Sequence, residues 1–94
     1  MANDYHFMQW RLRAEMVEAL ERYVKDHLPL GDFLTAALAN DLQGALSRAD
    51  DDNLANFPAL GAYIYNEIPS ACHGSMSRVD AWLRKREEKQ NDPA

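Results

Sequence analysis

Ninety-four residues, 47% hydrophobic and 27% charged, are enough for one core and exclude two, because either half would be too small to fold without disulfides or metal. Fifteen acidic against ten basic residues leave a formal charge of −5, the wrong sign for a phosphate backbone, so direct nucleic-acid binding is not expected. A single cysteine, Cys72, excludes an intrachain disulfide framework. With no signal-peptide pattern over Met1 to Trp10 and no run of about 18 apolar residues, a cytoplasmic protein without membrane contact is expected.

In chain order, Met8, Leu12, Met16, Ala19, Leu20, Tyr23 and Val24 recur at three- and four-residue intervals and predict an amphipathic helix over about 4–26. Glu18 with Arg22 and Glu21 with Lys25 fall on its solvated side, and His27 stands in its last turn, where positive charge suits the helix dipole. Pro29 and Gly31 end it. Asp32 is the expected N-cap of a second helix over 32–48, with Phe33, Leu34, Ala37, Leu38, Leu42, Ala45 and Leu46 as its stripe and Gly44 as a point of close helix approach. Asn40 and Asp41 are poor helix formers inside it, which points to a tertiary hydrogen bond, a partner contact or plain solvent exposure. A third helix is expected over 51–67, its positive end met by Asp50, Asp51 and Asp52. Pro58 bends or restarts it, with Asn56 or Phe57 near the cap. Ser75 caps a fourth helix over 75–88 that turns Val79, Trp82 and Leu83 inward, and 89–94 has nothing to bury and is expected to be disordered. The expectation is an all-α compact bundle of about four helices forming one domain over 1–88.

No Gly-rich phosphate loop, paired-cysteine zinc spacing, nucleophile elbow or HExxH pattern is present, so neither an enzyme nor a cofactor or metal site is expected. Cys72 beside His73 does not complete a metal site or a thiol catalyst, and Asp50 to Asn53 lacks the ligand spacing of a calcium loop. Tyr5, Phe7 and Trp10 cannot all lie on one helical stripe. They are partner anchors, a cover over the core from a folded-back terminus, or a homodimer contact. Tyr63 and Tyr65 diverge around a helix, so only one of them can be central to the core.

Tyr23-Val24, Pro29-x-Gly31-x-Phe33-Leu34, Asn40-Asp41-Leu42, Arg48-Ala49-Asp50-x-x-Asn53, Tyr65-Asn66-x-x-Pro69-Ser70-x-Cys72-x-Gly74-Ser75 and Trp82 follow one another in an order that resembles small uncharacterised helical proteins of tailed bacteriophages and prophages. The departures are His73, where that pattern has tryptophan, Pro58, in a helix otherwise free of proline, and the segment before Arg13, which has no counterpart in it. The resemblance implies a phage origin and no particular activity. By analogy, the expected role is non-enzymatic binding and inhibition of a host protein or defence system, as anti-CRISPR proteins do. The candidate contact residues are Asp50, Asp51, Asp52, Asn40, Asp41, Trp10 and Tyr5. The alternatives are a homo-oligomer that grips a nucleotide-like ligand between aromatic faces and Arg11 or Arg13, and a virion or assembly component.

Overall fold

The computed structural model describes residues 3–91. Two short strands, β1 (Tyr5–Phe7) and β2 (Trp10–Leu12), precede α1 (Ala14–Asp26), α2 (Asp32–Leu38), α3 (Leu42–Arg48), α4 (Asp51–Ala55), α5 (Phe57–Glu67), a 3-10 turn (Ser70–Cys72) and α6 (Met76–Asn91). The fold is mostly helical with a two-stranded sheet, and each of the first three expected helices is corrected.

The first correction is the hairpin. β1 and β2 pair antiparallel, Tyr5 opposite Leu12, His6 opposite Arg11 and Phe7 opposite Trp10. Successive side chains of a strand point to opposite faces, so Tyr5, Phe7, Trp10 and Leu12 all turn toward the body while His6 and Arg11 face water. A helix would have spread the four bulky side chains around its circumference. Tyr5 meets Tyr63 of α5 edge-on at 5.0 Å between centroids, and Phe7 stacks on Trp10 at 6.2 Å. The turn places Met8 at φ 55 and leaves it 78% exposed, off the apolar stripe expected of it. Arg13 enters α1 without offering a cap. Asp4 serves instead, its Oδ1 accepting from the Ala14 N–H at 3.0 Å and its other oxygen pairing with Arg11 at 3.3 Å. At the far end His27 is the left-handed cap residue (φ 57), its N–H donating to the Tyr23 carbonyl at 3.1 Å.

The second correction splits the expected 32–48 helix. Asn40 takes φ 64, its N–H donates to the Ala37 carbonyl at 3.2 Å, and the Asp41 N–H donates to Ala36 at 2.9 Å. This is a Schellman ending with asparagine in the left-handed position that glycine more often fills. Asp41 at once caps α3, its Oδ1 accepting from Gly44 N–H at 3.0 Å. The pair is therefore a stop followed by a start. Gly44 answers to the same cap: a Cβ there would run into the Asp41 carboxylate rather than into a neighbouring helix. Gly31, extended at φ −66 and ψ 173, is the N-cap of α2, whereas Asp32 is already helical and pairs with Arg48 at 3.7 Å.

The third correction replaces one bent helix by two. Asp50 caps α4 through a 2.8 Å bond from the Asn53 N–H, and Asn56 ends it, its Nδ2 donating to the Asp52 carbonyl at 3.1 Å. α5 restarts at Phe57 with Pro58 in its first turn, where the missing N–H costs nothing. Asn56 also accepts from the Arg11 N–H at 2.9 Å, and Arg13 pairs with Asp52 at 3.3 Å, so α4 is pinned to the hairpin side of the molecule. The Ser75 hydroxyl accepts from the Arg78 N–H at 3.2 Å at the head of α6. α6 runs beyond the expected end at 88 to Asn91, and the rest of the expected tail, 92–94, lies outside the described residues.

One cluster of buried side chains runs from Leu12 on β2 through Leu20, Tyr23, Leu38, Leu60 and Cys72 to Val79 on α6. Tyr63 is buried in it and Tyr65 points away, as their divergence requires. Among the described residues no helix is long and apolar enough to cross a membrane.

Candidate functional site: an apolar groove beside α3 and α5

Where α2 stops at Asn40, the chain turns and leaves Leu42, the first residue of α3, 61% exposed instead of in the core. On the neighbouring wall, α5 contributes Phe57, Gly61, Ile64 and Tyr65, with Tyr65 83% exposed. Phe57 is held by an edge-on contact with Phe33 of α2, 6.0 Å between centroids. A Cβ on Gly61 would meet nothing within 4 Å, so the α5 wall is open there. His73 and Gly74 close one end, drawn in by a 2.7 Å bond from the Gly74 N–H to the carbonyl of Leu38, the last residue of α2. The result is an open apolar groove of about 390 Å³ whose side-chain polar groups are those of Asn40, His73 and Tyr65.

The end wall is fixed from behind. Arg78 donates to the carbonyls of Ser70 and His73 at 3.2 and 3.3 Å, and its guanidinium comes within 3.2 Å of where a Cβ on Gly74 (φ 111) would sit. The Tyr23 hydroxyl donates to the Cys72 carbonyl at 2.7 Å, and the Trp82 indole N–H donates to the Tyr23 carbonyl at 2.8 Å. The His27 ring lies 4.4 Å from that of Trp82, with Nδ1 3.1 Å from the Trp82 carbonyl. Burial pushes the Tyr23 phenol well up, with the Cys72 thiol and Asp80 adding to it, and burial likewise raises Cys72. Tyr63 is raised by burial first and then by Glu21, Glu67 and Tyr5. None of these three groups lines the groove. Among the described residues no group of three or more His, Cys, Asp or Glu is placed to hold a metal ion.

The structure distributes the residues singled out in the sequence. Asn40 lines the groove and Asp41 stands at its edge between Asn40 and Leu42. Asp50 is a helix cap, Asp52 is paired with Arg13, and Asp51 is exposed in the first turn of α4. Tyr5 and Trp10 are half-buried and cover the core, away from the groove. Arg11 and Arg13, the arginines imagined around a nucleotide, are tied to Asp4 and Asp52. Leu42, Gly61 and Tyr65 were not anticipated as a wall. The signal that leads to them is Asn40-Asp41, which ends one helix and begins another and so turns Leu42 outward.

No family model, curated protein or solved structure matches this chain. Its functional reading therefore rests on the geometry of the groove and on the sequence.

Proposed function

We propose that this protein acts without catalysis, as a small phage-type accessory protein that binds a host protein and so inhibits a host process or defence system in the manner of an anti-CRISPR protein. The observation that carries the binding role is the pair Leu42 and Tyr65, large apolar surfaces held in water on either side of an open apolar groove. Exposed apolar patches of this kind mark docking sites, and aromatic side chains supply contact area at low entropic cost. The phage origin rests on the resemblance of the sequence phrases. The non-enzymatic role rests on the sequence, which carries none of the common catalytic motifs.

The experiment is capture from bacterial lysate by the tagged protein, beside the variant Leu42→Asp/Tyr65→Asp. Both positions are exposed, so the variant should melt within about 0.5 kcal/mol of the parent. One stoichiometric partner held by the parent and lost by the variant is the expected result. A partner held equally by both, or none at all, overturns the proposal.

The groove volume also lies in the range of small-molecule sites, which favours a ligand-binding alternative. A compound screen by thermal shift separates the two, because a ligand of the native state raises the melting temperature by mass action.

A further inference from the structure

We propose that the cavity beside His27 takes a free α-amino acid, its ammonium held by the His27 imidazole and Glu87 and its carboxylate by Arg86. This cavity lies between the end of α1 and the second half of α6, shares no lining residue with the groove, and is independent of the protein-binding role above.

The first argument is the setting of the histidine. His27 is 8% exposed and holds a left-handed position that favours glycine. Its Nδ1 lies 3.1 Å from the Trp82 carbonyl, and a carbonyl only accepts, so Nδ1 carries the hydrogen and the neutral ring keeps its lone pair on Nε2. That bond accounts for one nitrogen and leaves the other unused. Nε2 has no partner among the described residues, yet it is not sealed into the core. The ring lines an open cavity of about 280 Å³ together with Pro29, Leu83, Arg86 and Glu87. Fixing one ring nitrogen on a backbone carbonyl orients the other for a ligand. A metal ion does not suit the site, because the lining offers one imidazole and one carboxylate with a guanidinium beside them.

The second argument is the complement of charges. Arg86 and Glu87 are in no ion pair among the described residues, whereas Arg11, Arg13 and Arg48 are each tied to an aspartate. Neighbours in sequence, they set one charge of each sign on the same cavity. A simple anion would be opposed by Glu87 and a simple cation by Arg86, so a ligand that carries both charges close together leaves neither opposed. An α-amino acid carries them on one carbon. Nε2 and Glu87 both accept, and the carboxyl end of α1 adds the negative end of its dipole, which suits an ammonium with three donors. The planar fork of Arg86 suits a carboxylate. Pro29 and Leu83 supply an apolar wall for an aliphatic side chain.

The test is a titration of the whole protein with L-leucine, followed by NMR at the His27 ring nitrogens and at the indole N–H of Trp82, whose ring lies 4.4 Å from that of His27. Leucinamide lacks the carboxylate and N-acetylleucine lacks the ammonium. Leucine is expected to shift both signals saturably, and each analogue to bind about tenfold more weakly or worse. Arg86→Gln and Glu87→Gln, both at exposed positions, should each weaken leucine about three- to tenfold with the melting temperature unchanged. His27→Asn keeps a residue that tolerates the left-handed position and should abolish the response at the Trp82 indole. Absence of a saturable shift at His27 overturns the proposal, as does either analogue binding as tightly as leucine. Leucine-induced shifts at Ile64 and Tyr65 in place of His27 would put the ligand in the groove and overturn it as well.

Discussion

Replacing Tyr23 by Phe keeps the ring that fills the core and removes one oxygen. Tyr23 is 1% exposed, and its hydroxyl reaches 49 residues along the chain to the Cys72 carbonyl at 2.7 Å. The ring still packs, so the cavity contribution is small and the loss is that of a buried acceptor deprived of this donor, about 1–3 kcal/mol. For a domain of this size the melting temperature should then fall by about 5–15 °C. Calorimetry or circular dichroism against temperature reads the shift, and urea titration at constant slope confirms that stability alone has changed. The end wall of the groove hangs on the same bond, so amide exchange at Ser70 to Gly74 should quicken more than exchange in α5. A Tyr23→Phe protein that melts with the parent would refute the reasoning, because the hydroxyl would then not be what secures that turn.

Three further outcomes follow from the geometry. Met8→Gly should raise stability by about 0.5–1 kcal/mol, since Met8 holds φ 55 with its side chain in water, and an unchanged melting temperature would count against that turn. Gly44→Ala should fail to deliver the gain of about 1 kcal/mol that alanine usually brings to a helix, because its methyl displaces the Asp41 cap. Gly61→Ala, with open space at its Cβ, should deliver it, and equal melting temperatures for the two variants would contradict the packing described. In alkali, Cys72, Tyr23 and Tyr63 all keep their protons above the ordinary values of 9.0 and 10.0 in the folded chain, chiefly through burial. The unfolded chain releases them first, so their contribution is whole below about pH 9 and is lost as pH climbs through the raised folded values. Melting temperatures taken from about pH 8 to 11 should fall progressively and fall less in Tyr23→Phe, and a flat profile would argue against these buried acids.

What the sequence disclosed was governed by how local the deciding interaction is. The Asp50 and Ser75 caps, the restart of the helix at Asn56 and Phe57, and the divergence of Tyr63 from Tyr65 all follow from residues within a turn of one another. The hairpin was hidden because Met8 and Gln9 carry none of the Gly or Asn chemistry that marks a tight turn, and because its apolar spacing also satisfies a helical period. Asn40-Asp41 stands out in the sequence, but the sequence leaves a tertiary hydrogen bond, a partner contact and plain solvent exposure open, since the stop and start it makes lie in backbone angles that composition only hints at. The groove was illegible for a related reason. Its walls come from α3, α5 and the turn at His73 and Gly74, and the orientation of Leu42 depends on the break at Asn40.

The bonds that join α1 to the chain around Cys72 and Trp82 span 49, 55 and 59 residues. Closing loops of that length costs entropy before any contact repays it, so folding should be slower than for a bundle built from neighbouring helices. During synthesis α1 can coil early, but its carboxyl end gains the Trp82 contacts only after the first turns of α6 have emerged. A nascent chain stopped before Trp82 would hold the groove walls in sequence without the clasp that seats them. The polypeptide therefore acquires a finished groove late, as a step coupled to the docking of α6.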